Sequence, residues 1–222
     1  MTRPLLLDLF CGAGGAATGY HQAGFDIIGI DINPQPNYPF DFVQADALQW
    51  LDGGLPPAIT AIHASPPCQH YTSLAKGTNR NADRHPALIP AVRRQLIATK
   101  LPYIIENVEA APLAIPVRLC GSSFGLDLRR HRLFETNVMI WSLPCDHAWQ
   151  TPRFRSLDRR RGTALSTVVG VHGHQNYANE LRLRRQAMGI DWMTNAELVQ
   201  AIPPAYTEYI GTQLLQALEG AA

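Results

Sequence analysis

Leu5-Leu6-Leu7-Asp8-Leu9-Phe10-Cys11-Gly12-Ala13-Gly14-Gly15 is the stretch whose reading decides the fold. Leu5 to Phe10 is almost continuously apolar, as a parallel strand buried on both faces must be. A glycine-rich turn follows. Ala16 to Ala23 then reads as a helix stopped by Gly24, and Phe25 to Asp31 as a second strand ending in an acid. Strand, glycine turn, helix and strand make a βαβ unit. Such a turn lets backbone N–H groups approach a ligand at a helix N-terminus, and the acid after the second strand suits a ribose hydroxyl. The unit predicts an α/β fold with a mostly parallel, Rossmann-like sheet. The spacing Gly12-x-Gly14-x-x-Ala17 also leaves open a dinucleotide oxidoreductase.

Further strands follow outward. Phe42 to Ala47 is short and contains Asp46. Ala58 to Ala64 is apolar and runs into Ser65-Pro66-Pro67-Cys68-Gln69. Pro67 fixes its own φ and removes a backbone donor, so the chain must leave the strand there, and Cys68 is presented on a stiff turn. Ligand sites of open α/β sheets lie at the carboxyl ends of the strands. Taken alone, Cys68 reads equally as a small buried hydrophobe. Tyr71 to Pro90 is polar and too long for an ordinary connection, which predicts a mobile, functional loop in which Lys76, Arg80 and Arg84 would reach phosphates. Ala91 to Thr99 reads as a helix. Tyr103 to Val108 is a strand carrying Glu106 and Asn107, and Leu133 to Thr136 is another. Leu181 to Met188, Asn195 to Ala201 and Ala205 to Leu218 read as helices.

The chain has 222 residues, enough to bury a core without staples, and its 46% hydrophobic and 17% charged content is that of a globular protein. No apolar run has transmembrane length, and the N-terminus fits no signal peptide. Four scattered cysteines suit a reducing cytoplasm. The net charge of +1 hides an asymmetry. Residues 1–117 carry 7 basic against 9 acidic side chains, residues 118–185 carry 12 against 5, and residues 186–222 carry none against 4. All 12 basic residues of the middle block are arginine, the side chain suited to bidentate contacts with phosphate and guanine, which points to a polyanion partner.

With these stretches in place, the chain resembles the cytosine-C5 DNA methyltransferases over nearly its whole length, with the family's motifs in the family's order. Asp8 to Gly15 (Asp8, Phe10, Cys11, Gly12, Ala13, Gly14 and Gly15) looks like the loop for S-adenosylmethionine. Asp31 and Ile32 match the position that holds the donor's ribose and flanks its adenine, and Asp46 matches the acid that contacts the adenine amino group. Pro67-Cys68-Gln69 resembles the catalytic motif and Glu106-Asn107-Val108 the second one. Arg130-His131-Arg132 matches the paired arginines, and Ala201 to Ala205, with Ile202, the segment that closes over the donor. Leu128 stands where the family usually has glutamine, and Gln200 where it has asparagine.

The resemblance implies a catalytic unit in residues 1–136, a reduced and irregular target-recognition subdomain in 137–180, and a return to the catalytic unit in 181–222. It implies covalent activation: Cys68 thiolate adds to C6 of a flipped-out cytosine, Glu106 holds N3 and the amine, and Arg132, supported by Arg130, sits near O2. Double-stranded DNA is then the partner, S-adenosylmethionine the cofactor, and a cytoplasmic monomer the default. The alternatives are a tRNA cytosine-C5 methyltransferase and a catalytically silent nucleic-acid-binding homologue. Cys11 reads as structural and Cys120 as core. Cys145-x-His147 and His172-x-His174 flank the arginine-rich stretch. These four form a candidate tetrahedral zinc set, weighed against the reading that they are unrelated surface residues.

Overall fold

A computed structural model describes residues 2–71, 86–148, 150, 168–171 and 178–220. The loop residues Lys76, Arg80 and Arg84, and the histidines His172 and His174, lie outside the described residues. The strands are β1 (Leu5–Leu9), β2 (Asp26–Asp31), β3 (Asp41–Gln44), β4 (Ile59–Ala64), β5 (Tyr103–Asn107), β6 (Val117–Leu119) and β7 (Arg132–Thr136). The helices are α1 (Gly15–Ala23), α2 (Ala47–Asp52), α3 (Ile89–Thr99), α4 (Ala178–Met188), α5 (Asn195–Gln200) and α6 (Pro204–Gly220). A 3-10 turn covers Gly121–Phe124.

One seven-stranded sheet has the order β3-β2-β1-β4-β5-β7-β6. The five strands from β3 to β5 are parallel, and β7 runs antiparallel to both β5 and β6. This is a Rossmann-like α/β sheet with an antiparallel edge, as expected. Alternate residues of the central strands enter two cores. Leu6, Ile27, Ala61 and Ile104 pack on α1 and α6, against Tyr20, Tyr206 and Ile210. Leu7, Leu9, Ile62 and Ile105 pack on α2 and α3, against Leu51, Val92 and Leu96.

Two details differ from the sequence reading. Ile89 and Pro90 belong to the first turn of α3 and not to the loop, because a proline in the first turn loses no intrahelical bond. Strand β6 was not anticipated, since three residues carry too little alternation to be seen. Residues after β7 turn back onto the main body: Ile140 is buried in the α1–α6 core, and the Trp141 N–H donates to Gln213 Oε1 at 2.8 Å. Among the described residues, no helix is long and apolar enough to cross a membrane.

Candidate active site

The strand order reverses between β1 and β4, so the chains leaving those two strands part and open a crevice at their carboxyl ends. From β1 comes the turn Phe10 to Gly15. Phe10, Gly12 and Gly14 have φ of 57°, 49° and 84°, a left-handed conformation that costs a side chain roughly 1–2 kcal/mol and glycine almost nothing. The Gly12 N–H donates to Asp31 Oδ2 at 3.1 Å, and the Asn33 N–H donates to Asp31 Oδ1 at 2.9 Å. Asp31 thereby ties the turn to the end of β2, and Ile32 beside it stands exposed at the cavity rim. Asp8 is fully buried beneath the turn. The Tyr38 hydroxyl donates to its Oδ2 at 3.4 Å, while its Oδ1 has no donor among the described residues. Burial pushes the Asp8 carboxyl up to about 8; the Tyr38 bond opposes this and the nearby Asp31 adds to it.

The other wall comes from β4, β5 and β7. Asn107 Nδ2 donates to the Pro66 carbonyl at 2.8 Å, and the Tyr71 N–H donates to the Cys68 carbonyl at 2.8 Å. The end of β5 therefore holds the proline turn on which Cys68, half-buried, faces the cavity. Glu106 is buried and pairs with Arg132 Nε at 3.1 Å. Burial raises the Cys68 thiol, and so does the Glu106 carboxylate, while Arg132 and Arg130 pull it down. Burial also raises Glu106, against the pull of Arg132, a hydrogen bond from Ser65, and Arg130.

Behind Glu106 lies a buried relay that the sequence reading missed. His63 is held neutral, its pKa lowered to about 3 by burial. A neutral imidazole has one donor and one acceptor nitrogen. His63 Nε2 lies 2.9 Å from Ser65 Oγ and Nδ1 lies 3.0 Å from the Tyr20 hydroxyl, so one ring nitrogen donates and the other accepts. The one sequence signal was a histidine inside the apolar run of β4, whose partner Tyr20 comes from a helix 43 residues earlier.

The two arginines diverge. Arg132 faces Glu106. Arg130 is buried and donates to the carbonyls of Val171 at 2.9 Å and Val199 at 2.6 Å, and its own carbonyl accepts from the Tyr206 hydroxyl at 2.6 Å. It braces the approach to β7 against the C-terminal segment. That segment closes the cavity from above: the Ile202 carbonyl occupies the space where a side chain on Gly15 would begin, and Trp192 Nε1–H donates to the Ala13 carbonyl at 2.9 Å.

The resulting cavity has a volume of about 1200 Å³. Small-molecule sites run to roughly 300–1,000 Å³, so this one has room for more than one ligand. Cys68, Glu106, Arg130 and Arg132 all line it. So do the expected cofactor-loop residues except Gly14, together with Asp31, Ile32, Pro67 and Ile202. Gly14 lies behind the turn, packed under Tyr38 and Pro39. Asp46 is not among the lining residues; its Oδ1 caps α2, accepting from the N–H groups of Leu48 at 2.9 Å and Gln49 at 3.0 Å.

Residues 5–111 match the family model of C-5 cytosine-specific DNA methylases, a span that holds the cofactor turn, Cys68 and Glu106. Over that span the chain is similar to that family. Among curated methylases, Type II methyltransferase M.XorII of Xanthomonas oryzae is 29% identical over 155 residues, covering 63% of this chain and 32% of the relative. M.AplI of Arthrospira platensis is 25% identical over 190 residues, covering 75% of this chain and 55% of the relative. The chain therefore spans about a third to a half of the length of these two methylases. The fold is shared with a candidate DNA modification methyltransferase encoded within an E. coli prophage, with a TM-score of 0.60 at 15% identity over 97% of this chain and 99% of the other. It is also shared with the S. pombe Dnmt2 methyltransferase, with a TM-score of 0.55 at 13% identity over 97% of this chain and 99% of the other.

Proposed function

We propose that this protein is a methylase that transfers a methyl group from S-adenosylmethionine to C5 of cytosine in double-stranded DNA, with Cys68 as the transient covalent nucleophile. The observation that carries the reading is the convergence of Cys68 and the Glu106–Arg132 pair on one wall of a cavity whose far end is the glycine turn with Asp8 and Asp31. The donor suits that far end. Asp8 offers a buried oxygen without a donor and lies close enough to Asp31 to be raised by it, so a cationic ligand supplies the missing donor and relieves the repulsion. Asp31 would take the ribose hydroxyls and Ile32 the adenine face, under the lid of Ile202. When bound, S-adenosylmethionine supplies an electrophilic methyl on a positively charged sulfur.

The chain's own residues do the rest. A cytosine flipped from the duplex, at a cost of roughly a few kcal/mol, enters beside Cys68. The thiolate adds to C6, and the C5–C6 π pair makes C5 nucleophilic. A protonated Glu106 donates to N3 and relieves the developing charge, and Arg132 stabilises O2. After methylation, loss of the C5 proton re-forms the double bond and expels Cys68.

The raised carboxyl of Glu106 supports its acid role, and its neutral form no longer repels the Cys68 thiolate. Residues 137–180 act as the reduced target-recognition region between the catalytic parts 1–136 and 181–222, which suits a short site. The protein works as a monomer in the cytoplasm, where the thiol stays reduced. The test is incubation with labelled donor and unmethylated genomic DNA, beside Cys68→Ala, with modified cytosines mapped by sequencing. Label in C5 of cytosine is expected, falling to background in the variant. No label in DNA alongside label in tRNA would overturn the DNA assignment, and label in neither, with donor binding intact, would overturn the catalytic one.

A further inference from the structure

Four metal-ligating side chains meet at the sheet edge, away from Cys68. Cys120 follows β6, His131 precedes β7, and Cys145 and His147 lie in the segment that leaves β7. Their ligand atoms all lie within 4.8 Å of one another. Cys145 Sγ is 3.1 Å from His147 Nε2 and 3.3 Å from His131 Nε2, and Cys120 Sγ is 3.3 Å from His147 Nε2. Zinc–sulfur bonds of about 2.3 Å and zinc–nitrogen bonds of about 2.0–2.1 Å at tetrahedral angles require sulfur–nitrogen edges of roughly 3.5 Å, so the atoms already stand near the corners of such a site. The set is two thiols and two imidazoles, the donor chemistry of structural zinc.

The surroundings fit the same ion. His131 turns Nε2 to the cluster and Nδ1 to Glu109 Oε1 at 3.3 Å, the carboxylate-behind-histidine arrangement that fixes a ligand's tautomer. The Ser122 hydroxyl lies 3.7 Å from Cys145 Sγ, placed to donate to a thiolate.

We infer that Cys120, His131, Cys145 and His147 bind a structural zinc ion. The ion fastens the start of the 137–180 region to the three-residue edge strand β6. Through His131 it also anchors the backbone between Arg130 and Arg132. The proposed set differs from the sequence expectation: Cys120, buried as expected, serves as a ligand together with His131, while His172 and His174 lie outside the described residues.

The test is the zinc content of the full chain, purified under reducing conditions without chelator, and the visible spectrum of its cobalt-substituted form. Stoichiometric zinc, and a tetrahedral cobalt spectrum with thiolate charge-transfer bands, are expected. Cys145→Ser and His147→Ala should each lose most of the metal, while the double variant His172→Ala and His174→Ala keeps it. Folded wild-type protein that stays metal-free after incubation with zinc would overturn the assignment. So would zinc retained by both Cys120→Ser and Cys145→Ser, or zinc lost only with His172 and His174. If single variants fail to fold, release of stoichiometric zinc from the wild-type chain to a chromogenic chelator, with the cobalt spectrum, decides instead. None of these readouts depends on methyl transfer.

Discussion

Burial raises the Cys68 thiol and the Glu106 carboxyl together, and Arg132 pulls both down. The thiol's raised pKa means that reactive thiolate is scarce at neutral pH and grows as pH rises. Glu106 adds to the problem while it is charged and stops doing so once protonated against a base. Removing its charge should therefore move the pH midpoint of Cys68 alkylation by iodoacetamide downward in Glu106→Gln, by about one pH unit, the low end of the effect of a neighbouring charge. Arg132→Ala should move it upward by a similar amount. Midpoints that stay put, or that move the same way in both variants, would break the electrostatic account. The Pro66-Pro67-Cys68 turn was legible residue by residue because proline restricts its neighbours locally. The relay from Tyr20 through His63 and Ser65 was not, because each residue reads alone as an ordinary core or turn residue and the Tyr20–His63 bond joins segments 43 residues apart.

Helices α1 and α6 pack closely, and the spacing rests on small residues. A side chain on Gly19 would run into the Pro204 carbonyl and Thr207, and Thr207 Oγ1 donates to the Ala16 carbonyl at 2.8 Å across the same interface. Because the obstacle is largely backbone, it cannot swing aside. Gly19→Ala should destabilise the fold by about 2 kcal/mol, within the cost of overpacking. Urea unfolding would read this as a lower midpoint. At an open helical site the same change stabilises by up to ~1 kcal/mol, so a raised midpoint would refute the close approach. The long elements were visible in sequence because their apolar periods repeat several times. Strand β6 was not, and the start of α3 was placed late because Pro90 reads as a stop although it sits in the first turn.

Charge is arranged across the whole chain, with 12 arginines in residues 118–185 and none after residue 185. If that block meets the phosphate backbone, the logarithm of DNA affinity should fall linearly with the logarithm of salt concentration. Replacing Arg159, Arg160 and Arg161 by alanine should then flatten the slope by about 0.9 for each phosphate that is no longer neutralised. An unchanged slope would take the run out of the DNA interface. The sequence by itself determined the α/β class, the glycine turn, the proline-held cysteine and the charge blocks, because each is written in neighbouring residues that constrain one another through local sterics and periodicity. Only the tertiary structure decided that Arg132 pairs with Glu106 while Arg130 braces the C-terminal segment, and that Cys120 and His131 join Cys145 and His147. Those meetings depend on strand order. The antiparallel β7, inserted between β5 and β6, brings Arg132 to Glu106 on one side and His131 to Cys120 on the other, and no local spacing along the chain encodes it.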